Sequence, residues 1–167
     1  WALWDASIAW LNPPPPETVE TDRVTSGLIV YYPITDISNG IIEDLSGIEP
    51  ALDLTITGEG VEAIDGRNGI KITASSDIRT AEPPMRLYDA ITATNEFTLE
   101  VLCAPASVTQ SGPARIVSYS ENPTSRNFTL GPQGTELHMR IRTSDSSISD
   151  NGLPESKALD VVTLDES

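Results

Sequence analysis

His138 is the only histidine of the chain and Cys103 the only cysteine, so thiol–imidazole chemistry has a single pair of residues to draw on. Their surroundings point elsewhere. Cys103 closes the run Phe97-Thr-Leu-Glu-Val-Leu-Cys103, whose alternation puts it on the face of Phe97, Leu99 and Val101, the place of a small core residue. His138 stands between Glu136-Leu137 and Met139-Arg140 without a catalytic motif around it. Glycoside hydrolysis needs two carboxylates flanking the scissile bond, and Glu100 is the only carboxylate within that central run. A lone cysteine also excludes an intrachain disulfide and an all-thiolate zinc site. No catalytic residue is assigned, and the expectation is that the chain is not an enzyme.

Two kinds of binding chemistry remain. Calcium takes several carboxylate, amide and carbonyl oxygens converging at about 2.3–2.6 Å. Asp44, Asp53 and Asp65, which lie near predicted turns, are the candidate metal ligands, with Asp145, Asp150 and Asn151 as further acids and amides of a late loop. None of them has the fixed spacing of an EF-hand, and calcium is the one cofactor these residues suggest. Sugars are recognised by stacking on an exposed aromatic ring with polar groups to orient them. After Trp10 the chain has no tryptophan, so Tyr31, Tyr32 and Tyr119 are the candidate ligand contacts. Tyr31 and Tyr32 are adjacent in an alternating run, which turns one of them outward.

Ten Lys and Arg against 25 Asp and Glu give a formal charge of −15. A nucleic-acid surface needs clustered basic residues, so this class of partner is excluded. All three tryptophans fall in the first eleven residues. That stretch predicts a short hydrophobic helix, with Trp1, Trp4, Ile8 and Leu11 on one face and Leu3 and Trp10 on roughly the other. Residues 1–12 read as a docking segment for a membrane surface or a larger protein complex. Four prolines, Pro13 to Pro16, favour extended polyproline II, and 13–26 reads as a stiff, polar linker.

From residue 27 onward, short β-rich runs broken by turn residues predict one antiparallel, all-β sandwich domain over 27–167. The expected strands are Leu28–Pro33, Leu52–Thr57, Gly69–Ile72, Phe97–Ala104, Ala114–Ser120, Asn127–Gly131 and Glu136–Thr143. Turns are expected at Asn39-Gly40, Gly58-Glu59-Gly60, Asp65-Gly66 and Gly131-Pro132-Gln133-Gly134.

In order and spacing, Gly27-Leu-Ile-Val-Tyr-Tyr-Pro33, Glu43-Asp-Leu-Ser-Gly47, Asp65-Gly-Arg-Asn-Gly-Ile-Lys-Ile72 and Glu96-Phe-Thr-Leu-Glu-Val101 resemble the laminin G-like jelly-roll superfamily. This is a branch of the concanavalin A-like lectin and glucanase fold. The resemblance runs through Arg126-Asn-Phe-Thr-Leu-Gly131 to Thr143. It departs at Leu102, where the family usually carries tryptophan, and in the further strands that the family adds where this chain stops. The expectation is that a longer chain or a partner covers the open edge. The tryptophan-rich segment, the proline spacer and the acidic sandwich together predict a non-catalytic, extracytoplasmic, membrane-associated scaffold subunit that contacts proteins; the resemblance implies the alternative, a lectin-like module that binds glycan or matrix.

Overall fold

The computed structural model describes residues 25–111 and 114–157. The expected N-terminal helix, the polyproline spacer and the docking residues Trp1, Leu3, Trp4, Ile8, Trp10 and Leu11 lie outside the described residues, as does the run after Lys157. The chain divides between Cys103 and Ala104 into two compact units.

The first unit holds β1 (Ile41–Ile42), β2 (Leu54–Thr57), β3 (Val61–Ala63), β4 (Ile70–Ile72), β5 (Asp77–Thr80) and α1 (Met85–Thr94). β1, β2 and β5 form an antiparallel sheet in that order, and β3 pairs with β4. In β2, Leu54 and Ile56 are half-buried while Thr55 and Thr57 are exposed, the period of two that a one-sided sheet imposes. The Asn39-Gly40 turn enters β1 with Gly40 at φ 75°, a conformation that glycine adopts without steric cost.

Two expected strands behave differently. Leu28–Pro33 supplies the core residues Ile29, Val30 and Tyr32 but joins no ladder among the described residues. Its backbone is bonded partly by side chains, as described below. Phe97–Ala104 keeps the expected alternation, with Phe97, Leu99, Val101 and Cys103 half-buried and the residues between them exposed, again without a ladder among the described residues. Burial pushes the Cys103 thiol above its ordinary pKa, which suits a packing residue and not a nucleophile.

The helix α1 was not anticipated from the sequence. Leu87, Ala90 and Ile91 lie at the i, i+3, i+4 spacing of a single stripe, and only Leu87 is fully buried. Pro84 precedes the first turn, and Asn95 ends the helix in the left-handed region, its N–H donating to the Ile91 carbonyl at 2.8 Å. Threonine at positions 92 and 94 and the narrowness of the apolar stripe hide the helix in a sequence dominated by strand-like runs.

The second unit contains β6 (Val117–Ser120), β7 (Arg126–Gln133), β8 (Glu136–Ile141) and β9 (Ser156–Lys157), an antiparallel sheet in chain order. Its register places Val117, Tyr119, Phe128, Leu130, Leu137, Met139 and Ile141 on one face, with the rings of Tyr119 and Phe128 edge to face at 6.1 Å. Ser118, Thr129, His138 and Arg140 occupy the other. The regular elements among the described residues are thus strands in antiparallel sheets and one short helix, an all-β composition.

The turn expected from Gly131 to Gly134 falls instead at Gly134-Thr135, and Gly131 lies inside β7 opposite His138. The reason is steric. A Cβ at Gly131 would stand 1.8 Å from the Ala114 carbonyl oxygen, so the glycine serves close approach of the segment leading into β6. Gly131→Ala is therefore expected to destabilise the second unit by about 1–3 kcal/mol in urea unfolding, because backbone must move to admit the methyl group.

Candidate functional site

The Asp44 carboxylate of the first unit accepts four hydrogen bonds, and its side chain has 0% exposure. Oδ1 accepts the N–H groups of Tyr31 at 3.1 Å and Ser46 at 3.0 Å. Oδ2 accepts the Leu52 N–H at 3.1 Å and Nη2 of Arg86 at 2.6 Å. The Asp44 N–H in turn donates to Asp53 Oδ1 at 2.9 Å. Burial opposes ionisation here, but the three N–H donors and the guanidinium outweigh it and hold the carboxyl below its ordinary pKa.

Arg86 extends the clasp from α1. Its guanidinium also donates to the carbonyls of Ile29 at 2.9 Å and Pro50 at 2.8 Å, and to that of Ile48. Three segments remote in sequence, the run around Ile29–Tyr31, the loop 44–52 and the helix, are thereby joined through one ion pair. Tyr32 reinforces the junction by donating its hydroxyl to the Leu52 carbonyl. Burial, then the Asp44 charge, raises its phenol well above the ordinary value, so it remains a neutral donor.

The residues singled out in the sequence fall as follows. Asp44 and Asp53 are brought together, but the cation at Asp44 is Arg86, which occupies the Oδ2 side where a metal would bind. Asp65 lies exposed in its own turn. Among the described residues no group of three His, Cys, Asp or Glu side chains is placed to hold a metal ion. Tyr32 is buried, Tyr31 is half-buried beside it, and Tyr119 is half-buried against Phe128. Near the Asp65 turn, a cleft of about 360 Å³ is lined by Ile34, Asp36, Arg67, Asn68 and Gly69, among others. Ile34 adopts φ 53° there, a strained conformation for a β-branched residue, and its carbonyl accepts the Gly69 N–H at 2.9 Å.

In the second unit the polar sheet face is the notable feature. His138 is almost wholly buried, with Nε2 at 3.1 Å from Glu136 Oε2 and Nδ1 at 3.2 Å from Glu155 Oε1. Glu136 reaches it from two residues away on the same side of β8, whereas Glu155 lies just before β9. Next to them, Ser118 Oγ bonds Ser120 Oγ and, at 2.7 Å, Thr129 Oγ1. The hydroxyls thus bond one another and the imidazole faces carboxylates, which is structural pairing and not the hydroxyl–imidazole link of a nucleophilic site.

Sequence reasoning picked out Asp44 as an oxygen ligand and missed its partner, because Arg86 lies 42 residues further along on an unanticipated helix. No family model, curated protein or solved structure matches the chain.

Asp44→Asn is expected to cost the first unit about 3–5 kcal/mol in urea unfolding, since it leaves the Arg86 charge without its buried partner. The pH dependence follows from the depressed carboxyl. Its stabilisation is complete above the unfolded pKa of about 3.9 and is lost as pH falls through the lower folded value. Acid titration of folding should show a loss of stability below about pH 4 that is reduced in Asp44→Asn.

Proposed function

We propose that this chain is a non-catalytic, extracytoplasmic scaffold or accessory module of the laminin G-like jelly-roll type, whose work is to contact other proteins. The observation that carries this reading is the set of exposed apolar side chains on the loop and helix that the Asp44–Arg86 clasp joins. Leu45 and Ile48 lie in the clasped loop, while Met85 and Tyr88 lie one helical turn apart on α1, and each is at least 37% exposed. Because Arg86 bonds both the loop and the core segment, these side chains are presented by a braced framework. Exposed apolar side chains are what a protein partner buries.

The remaining features fit the same role. The tryptophan-rich residues 1–12 dock the chain on a membrane surface or a larger complex, and the prolines that follow hold the β-rich part away from it. The charge of −15 selects against nucleic acid and leaves protein surfaces as partners.

The test is recovery of co-purifying proteins from a membrane fraction with the full chain, with residues 1–12 deleted, and with Leu45→Ser/Met85→Ser. Deletion is expected to release the chain into the soluble fraction. The double substitution is expected to lower partner recovery at least about tenfold, the scale of losing a central apolar contact. Unchanged fractionation and recovery in both variants would contradict the reading.

A further inference from the structure

The chain contains four pairs in which asparagine or aspartate precedes glycine, at 39–40, 65–66, 68–69 and 151–152. At such a pair the glycine nitrogen can close on the side-chain carbonyl carbon, because no Cβ on the glycine shields it. The fold ties down three of the four nitrogens. Gly40 N–H donates to the Ile37 carbonyl at 2.9 Å, Gly69 N–H to that of Ile34 at 2.9 Å and Gly152 N–H to that of Ser149 at 2.8 Å. Gly69 and Gly152 are buried as well. To attack, each of these nitrogens must first give up its bond.

Gly66 is different. Its N–H forms no hydrogen bond among the described residues, and neither does the Asp65 carboxylate beside it. Both residues are exposed, Gly66 holds φ 74°, and a Cβ added there would meet nothing within 4 Å. The turn that carries them joins β3 to β4. It is closed by Ile64 N–H to the Gly69 carbonyl at 3.3 Å and by Arg67 N–H to the Ile64 carbonyl at 3.4 Å, both long for such bonds. Nucleophile and electrophile are therefore adjacent, accessible and held by little else.

We propose that Asp65 is a site of spontaneous isomerisation to isoaspartate. The Gly66 nitrogen attacks Cγ of the protonated Asp65 carboxyl, a C–N bond forms, and the carboxyl hydroxyl leaves as water with the amide proton. Water then adds to one carbonyl of the resulting succinimide ring and breaks its bond to the nitrogen. Cleavage at the main-chain carbonyl leaves the chain running through Cβ and Cγ with a free α-carboxylate, whereas cleavage at Cγ regenerates aspartate. Water is released in the first step and consumed in the second, so no other reactant is needed. The isoaspartate form carries an extra methylene in the backbone between β3 and β4. Gly66 and Arg67 of that turn line the cleft beside Ile34, so isomerisation reshapes the cleft as the chain ages. This inference is independent of the protein-contact reading.

The experiment is prolonged incubation of the full chain at neutral pH, native and unfolded in guanidinium chloride, followed by digestion and peptide mapping. Isoaspartate at position 65 is read from loss of endoproteinase Asp-N cleavage before Asp65, and reaction at the three asparagines from the mass gain of deamidation. Asp65 is expected to react as fast in the native chain as in the unfolded one. Folding is expected to slow Asn39, Asn68 and Asn151 by about tenfold, the scale of giving up one amide hydrogen bond. Gly66→Ala is expected to suppress the reaction at Asp65, because its methyl group crowds the attacking nitrogen. Intact cleavage before Asp65 in the aged native chain, slowing of Asp65 by folding to the same degree as the asparagines, or isoaspartate formation unchanged in Gly66→Ala would overturn the proposal.

Discussion

A carboxylate with no exposed surface stays ionised only while its oxygens are fully engaged, and at Asp44 that requirement organises the first unit. Its partners are three backbone N–H groups and one guanidinium, contributed by segments that no single sheet unites. The stretch around Ile29–Tyr32 can therefore be core without being a ladder strand. Its N–H at Tyr31 is taken by Asp44, its carbonyl at Ile29 by Arg86, and the Tyr31 carbonyl by the Leu45 N–H at 2.8 Å. Buried backbone groups must find partners, and here side chains supply what a neighbouring strand usually would. The helix α1 is fixed by the same ion pair, with Leu87 packed beneath it.

The second unit treats buried charge differently. Its sheet has a clean division, with aromatic and aliphatic side chains on one face and hydroxyls, imidazole and guanidinium on the other. His138 Nε2 bonds Glu136 and its Nδ1 lies 3.2 Å from Glu155 Oε1, while the hydroxyls of Ser118, Ser120 and Thr129 bond one another. Arg126 Nη1, Arg140 Nε and His138 Nδ1 are buried there without a hydrogen bond. Partly satisfied polar networks are uncommon because each orphan carries a desolvation cost.

How much of this was legible follows from where each signal resides. The strands between Arg126 and Ile141 were readable because alternation and β-branched or aromatic residues coincide within one contiguous hairpin. Its turn was misplaced because Gly131 looks like a turn residue, while its purpose is to admit the Ala114 carbonyl, a neighbour the sequence does not reveal. Asp44 was recognisable as an oxygen-rich position from the Asp-Leu-Ser-Gly turn. The identity of its cation was not, because Arg86 is brought to it by tertiary packing over 42 residues. Tyr31 is half-buried and Tyr32 buried, so neither is exposed, in an extended run without a strand partner among the described residues.

Hydrogen exchange of the amides that donate to Asp44 is the most direct test of this account. The N–H groups of Tyr31, Ser46 and Leu52 should be protected together in the native chain and should lose protection together in Arg86→Met, although none of them bonds Arg86. Exchange as fast as that of an exposed-turn amide such as Ser38, or protection untouched by Arg86→Met, would contradict the view that one buried ion pair holds these segments in place.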